Sequence, residues 1–164
     1  MAQIIKNGAL ADSAWVIGEA DLLAQGAQVV LPLAEYLAFR AGNPAPDVLA
    51  RAAVLLKPAD DVLQLAPLAA SLTLVVVEFP EFKEGRGYTQ ARLLRDRLGY
   101  TGELRAIGQI RADLVHHLAR CGFDAFELAD GEKAELALAE LKRFSVAYQP
   151  DAAVSGALRR RYGS

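Results

Sequence analysis

The chain has 164 residues, 53% of them hydrophobic and 23% charged, with a formal net charge of −2 and a pI near 5.7. That length suits one domain with a sizeable core, and the composition excludes a disordered chain. The mildly acidic balance argues against a general nucleic-acid binder, which is usually basic.

A single cysteine, Cys121, excludes an internal disulfide and a multi-cysteine zinc site within the chain. The opening stretch MAQIIKNGALADSAW has no charged-then-apolar signal pattern. The longest apolar runs, such as LTLVVV, are too short to cross a bilayer. A cytoplasmic protein with no nucleic-acid or membrane partner is expected.

In chain order, QIIKNGALADSAWVIG reads as a small N-terminal hairpin with Asn7-Gly8 as its tight turn. AQVVL is a short strand. Pro32 suits the first turn of a helix over LAEYLAFRA, because proline's missing N–H costs nothing there. GNPAP, residues 42–46, is a loop. AAVLLK reads as a buried strand, and ADDVLQLAPLAASL as a helix with a break at Pro67. TLVVVEF is the strongest strand. YTQARLLRDRLG is a helix with Thr89 as candidate N-cap and Gly99 as its stop. GELRAIG is a strand, IRADLVHHLARCG a helix ending at Gly122, and FDAFEL a strand. Asp130 is placed to cap a last helix over GEKAELALAELKRF.

This is a β-α unit repeated at least four times, each of roughly 25 residues. Such alternation predicts an α/β fold in a single domain over 1–150: a mostly parallel sheet, covered on both faces, with right-handed crossovers. An open sheet and a partial β/α barrel both satisfy the pattern. Residues 151–164 are expected to form a loosely held basic tail. The expected core includes Leu55, Val75, Val77, Leu104, Ile107 and Phe126.

The stretch from Lys83 to Arg105 carries six cations (Lys83, Arg86, Arg92, Arg95, Arg97, Arg105) against three acids (Glu84, Asp96, Glu103). That is +3 in a chain that totals −2. Gly85-Arg86-Gly87 follows the strongest strand and precedes a helix, at the sheet edge where open α/β folds bind ligands. Glycines allow close backbone approach, and a helix start offers N–H groups and partial positive charge. Gly85, Arg86, Gly87, Tyr88, Thr89 and Arg92 are therefore candidate ligands of an oxyanion. Equally, the glycines suit a plain turn, and Arg92 and Arg95 a solvated helix face. The segment matches neither a Walker loop nor a full Gly-x-Gly-x-x-Gly fingerprint.

Glu78, at the end of the strong strand, is a candidate acid or base. His116 and His117 are adjacent on a helix, about 100° apart, and cannot easily share a metal. Cys121 reads as a small buried residue at a helix end. Asp60 and Asp61 suit a helix start. No flavin or haem motif is present, and neither a cofactor nor a reaction follows from the residues alone.

The stretch VVVEFPEFKEGRGYTQARLLRDRLGYTGELRAIGQI, with ARCGFDAFEL and RFSVAYQP, resembles bacterial domain-of-unknown-function family 934. The similarity runs from about Gln3 to Pro150. The family-like positions include Phe79, Gly85, Arg86, Gly87, Tyr88, Arg92, Arg95, Gly99, Tyr100, Gly102, Glu103, Arg105, Gly108, Gly122 and Asp124. Members are commonly labelled as oxidoreductases involved in sulfite reduction. The resemblance thus implies a role in assimilatory sulfite reduction, beside sulfite reductase or another sulfate-assimilation protein. It implies either an accessory enzyme holding an oxyanion at Gly85–Arg92 or a non-catalytic adaptor docking on a sulfite-reductase-type enzyme. The family usually has Asp before the first of these glycines; this chain has Glu84.

Overall fold

Asn7 and Gly8 both adopt positive φ, 52° and 79°, so the chain reverses in two residues. This joins β1 (Ala2–Lys6) to β2 (Ala9–Ser13) as the expected antiparallel hairpin. The computed structural model describes residues 2–81 and 83–146. Met1, Phe82, the AYQP of RFSVAYQP and the tail over 151–164 lie outside the described residues.

The elements then alternate as the apolar runs require. They are β3 (Trp15–Ile17), α1 (Asp21–Ala24), β4 (Gln28–Pro32), α2 (Leu33–Ala41), α3 (Pro46–Leu49), β5 (Ala52–Leu56) and β6 (Leu74–Phe79). After them come α4 (Arg86–Arg92), β7 (Glu103–Gly108), α5 (Val115–Cys121), β8 (Ala125–Phe126) and α6 (Ala134–Val146). The eight strands form one sheet in the order β2-β1-β8-β7-β6-β5-β4-β3. From β3 to β8 every pair is parallel, and β8–β1 and β1–β2 are antiparallel.

The parallel strands lie in sequence order, so every crossover steps the same way round. With a constant right-handed crossover this puts all helices on one face, rather than on both as the sequence suggests. The buried residues agree. One cluster joins strand residues such as Val75, Val77 and Phe126 to helix residues Leu23, Tyr36, Leu94, Leu118 and Leu141. The other holds strand residues alone, Val30, Ala53, Leu55, Leu74, Val76 and Ile107, with Trp15 against them.

That second face stays dry because the sheet curls into a half-barrel. Its two edge strands are consecutive in the chain: β2 ends at Ser13, β3 begins at Trp15, and only Ala14 lies between. Two residues reach at most about 7 Å, so the edges are drawn round toward each other. Burial of Leu55, Val75, Val77, Leu104, Ile107 and Phe126 is at or below 8% exposure in every case, as the apolar pattern predicts.

Four local expectations change. The stretch ADDVLQLAPLAASL forms two short 3-10 turns, Val62–Leu65 and Ala69–Ser71, in place of a helix. Pro67 removes a donor between them, and Asp61 takes the Leu63 N–H at 3.0 Å. The helix expected from Tyr88 begins earlier, at Arg86, so Thr89 is an exposed residue inside α4 and not its cap. The strand FDAFEL shrinks to Ala125–Phe126. Finally, α6 starts four residues after Asp130, too far for that side chain to cap it. Gly99 and Gly122 do end their helical stretches, with φ of 66° and 121°.

Candidate functional site

The glycine–arginine segment lies where β6 leaves the sheet, at the carboxyl end of the parallel strands. Gly85 takes the cap position of α4 with ordinary right-handed angles, φ −92° and ψ −16°. Gly87 is buried, and a Cβ there would come 2.5 Å from Phe79 Cζ. Its glycine identity is therefore explained by close packing of α4 on β6.

Glu84 meets the positive charge first. Its Oε1 accepts the Arg86 backbone N–H at 3.1 Å and Nε at 2.9 Å, and its Oε2 accepts Nη2 at 3.1 Å. These hydrogen bonds hold the Glu84 carboxyl below its ordinary range and push the Arg86 guanidinium up. The chain's own carboxylate thus stands where the sequence would seat an oxyanion. The Glu84 carboxylate reaches both the side chain and the backbone N–H of a residue two positions on.

Tyr88 is half-buried, edge-on to Phe79 with ring centroids 5.4 Å apart, and 5.0 Å from the His117 ring on α5. Burial, then the nearby Cys121, pushes its hydroxyl up. Arg92 lies one turn further along α4 and is half-buried. The structure therefore brings Tyr88 and Arg92 beside His117 and Arg120. Burial lowers the His117 imidazole first, and the neighbouring His116, Arg120 and Arg92 lower it further. Neither α4 (RGYTQAR) nor α5 (VHHLARC) contains a carboxylate.

Glu78 is not part of that surface. It alternates with Leu74 and Val76, so it lies on the inward face of the curled sheet, opposite the helices. Cys121 is 3% exposed, matching its reading as a buried residue. His116 Nδ1 lies 3.7 Å from Glu140, while His117 is exposed. Among the described residues, no group of three or more His, Cys, Asp or Glu could hold a metal ion.

The sequence reading missed the role of Arg95. One alternative placed it on a solvated face; it is 3% exposed. It sits in a π-helical turn, Leu93–Arg97, that continues α4. Its Nε donates to the Gly122 carbonyl at 3.0 Å, and Nη1 to the carbonyls of Tyr100 and Gly102, each at 2.9 Å. Nη2 reaches Asp124 Oδ2 at 3.3 Å, and Asp124 Oδ1 accepts the Leu104 N–H at 2.9 Å. Gly122 makes room for it: a Cβ there would lie 2.6 Å from Arg95 Cγ. Several family-like positions, Arg95, Tyr100, Gly102, Gly122 and Asp124, are thus members of one buried staple. The available signal was the joint occurrence of one arginine, one aspartate and two glycines around β7.

A mostly parallel half-barrel with helices on one face defines an α/β protein. Within that class, the chain belongs to the family described as bacterial protein of unknown function, DUF934, whose model matches residues 53–158. The match begins in β5, so the hairpin, β3 and β4 lie outside it. No significant match is found among curated proteins or among solved structures. Among the described residues, no helix is long and apolar enough to cross a membrane.

Proposed function

We propose that the protein is an accessory protein of assimilatory sulfite reduction, acting as an adaptor that docks on a sulfite-reductase-type enzyme. The metabolic assignment rests on the resemblance of the central stretch to its family. One observation carries the choice of adaptor over oxyanion site: Glu84 already takes both the Arg86 guanidinium and its backbone N–H. A small oxyanion would have to displace a carboxylate held by three hydrogen bonds. An acidic protein surface has an alternative contact in the exposed Arg120 of α5, on the helix beside α4.

The test is capture of sulfite reductase by tagged protein from cells grown on sulfate. Capture should weaken as salt rises, because the attraction is between charges near the surface. Arg120→Glu should reduce capture several-fold, while Arg111→Ala, whose partner is Asp113, should leave it unchanged. Failure of the wild-type protein to capture the enzyme, together with sulfite binding that Arg86→Ala abolishes, would replace the adaptor with the oxyanion site.

A further inference from the structure

The strand made by β2 and β3 shows its two faces to different surroundings. On the inward face, Arg105 Nη1 donates to Ser13 at 2.8 Å and its Nη2 to Glu103 at 2.7 Å, while Glu103 also accepts from Lys6 at 2.7 Å. Trp15 packs on the strand cluster of the same face. These bonds tie β7 to the hairpin and close that side.

The other face is bare. Leu10 pairs with Ile5 and Val16 with Val29, and both partners belong to the cluster shared with the helices. Leu10, Asp12, Ala14 and Val16 therefore point to the helix side. All four are exposed, Leu10 at 48% and Val16 at 45%, so no described helix covers them. Beside Leu10 lies a cavity of about 240 Å³ between the hairpin and the start of α6, lined also by Ile5, Phe126, Leu128 and Ala134.

Charge is spread unevenly along the chain. From Asn7 to Phe39 there is no lysine or arginine, but there are four acids, Asp12, Glu19, Asp21 and Glu35. Glu35 accepts the Ala20 N–H at 3.1 Å. Asp12, Glu19 and Asp21 are exposed, and their side chains bond to no other described residue. Residues 147–164 carry Arg159, Arg160 and Arg161 against Asp151. These two stretches, at −4 and +2, account for the whole net charge of −2. The arginines follow directly on an apolar stretch that includes Val154, Ala157 and Leu158. An apolar strip rimmed by acids and an apolar segment ended by cations are complementary in both respects.

Length permits the contact. The described chain stops with α6 at Val146, and 18 residues follow, 147–164. They reach up to about 60 Å, against a radius of gyration of about 15 Å for a domain of this size. The family match runs on to residue 158, so Val154 and Leu158 fall within the matched region.

We propose that this strip is the docking site of the chain's own residues 152–161, with Val154 and Leu158 over Leu10 and Val16 and the arginines among Asp12, Glu19 and Asp21. None of these residues belongs to the α5 surface that carries Arg120, and the contact forms whether or not the protein docks on a reductase.

The experiment places a nitroxide on the full, isotope-enriched chain through Ser164→Cys and reads backbone-amide NMR signals. Cys121 is buried, and treating the chain without the substitution checks that it takes up no nitroxide. The signals of Leu10, Asp12 and Val16 should be lost with the nitroxide oxidised and return when it is reduced. Arg159→Glu, Arg160→Glu and Arg161→Glu together should restore them, because like charges then meet. Val16→Ser and added salt should each weaken the loss. No loss at these residues, or a loss that persists in the triple variant, would overturn the proposal. So would an equal loss when unenriched chain bearing the nitroxide is mixed with enriched chain that bears none, since the occupant would then be the tail of a second copy.

Discussion

Arg95 donates from Nε, Nη1 and Nη2 to groups inside the protein, and its carboxylate partner Asp124 is fully buried. A buried pair of this kind adds little net stability over an apolar pair, but removing one member strands the other. Asp124→Ala should therefore destabilise the protein by about 3–5 kcal/mol in urea unfolding. Arg95→Met should fall in the same range, because Asp124 and three carbonyls lose their donor. A change under about 1 kcal/mol in either variant would show that water replaces the lost bonds.

The two glycines of the nominated segment should separate in the same assay. Gly85→Ala should be near neutral, since its angles are ordinary and a Cβ meets nothing within 4 Å. Gly87→Ala should cost about 1–3 kcal/mol by pushing on the Phe79 ring. Both are simply glycine in the sequence. Only the register of α4 on β6 tells a packing glycine from a permissive one, and that register is a tertiary fact. The same holds for the arginines: charge and spacing mark out Arg86, Arg92 and Arg95 alike, but Arg95 alone is turned inward by the π-helical turn.

Strands were legible as elements because each is a continuous apolar run, and β4, β5, β6 and β7 fall close to where those runs lie. The stretch after β5 was not. Its leucine spacing suits a helix, but Asp61 and Pro67 break the backbone ladder into two 3-10 turns. The hairpin was legible from Asn7-Gly8, though its attachment was not. That attachment depends on Glu103, whose burial alone would raise its pKa; Lys6 and Arg105 outweigh this and hold it below the ordinary carboxylate range. A carboxylate with a depressed folded pKa stabilises the fold above its unfolded pKa, and this contribution is lost as pH falls through the lower folded value. Glu103→Gln should therefore lower the urea midpoint at neutral pH. The gap to wild type should close as the pH falls through the lowered folded pKa, where the wild-type glutamate is itself protonated. A gap independent of pH would mean the loss is one of shape and not charge.

At the scale of the molecule, periodicity left an open sheet and a partial barrel equally acceptable, because hydrophobic spacing records which residues are buried and not the order of the strands. The decision rests on connectivity, on parallel strands taken in sequence order and on edge strands that are neighbours in the chain. One consequence concerns the making of the protein. In β1, Ile5 pairs with Phe126 of β8, so β1 leaves the ribosome long before its neighbour in the main sheet has been synthesised. Contacts this distant in sequence form late and slow the search for the native state. Until they form, β3 with its exposed Val16 and Ile17 and the unclosed face holding Leu55 and Val76 are available to other nascent chains.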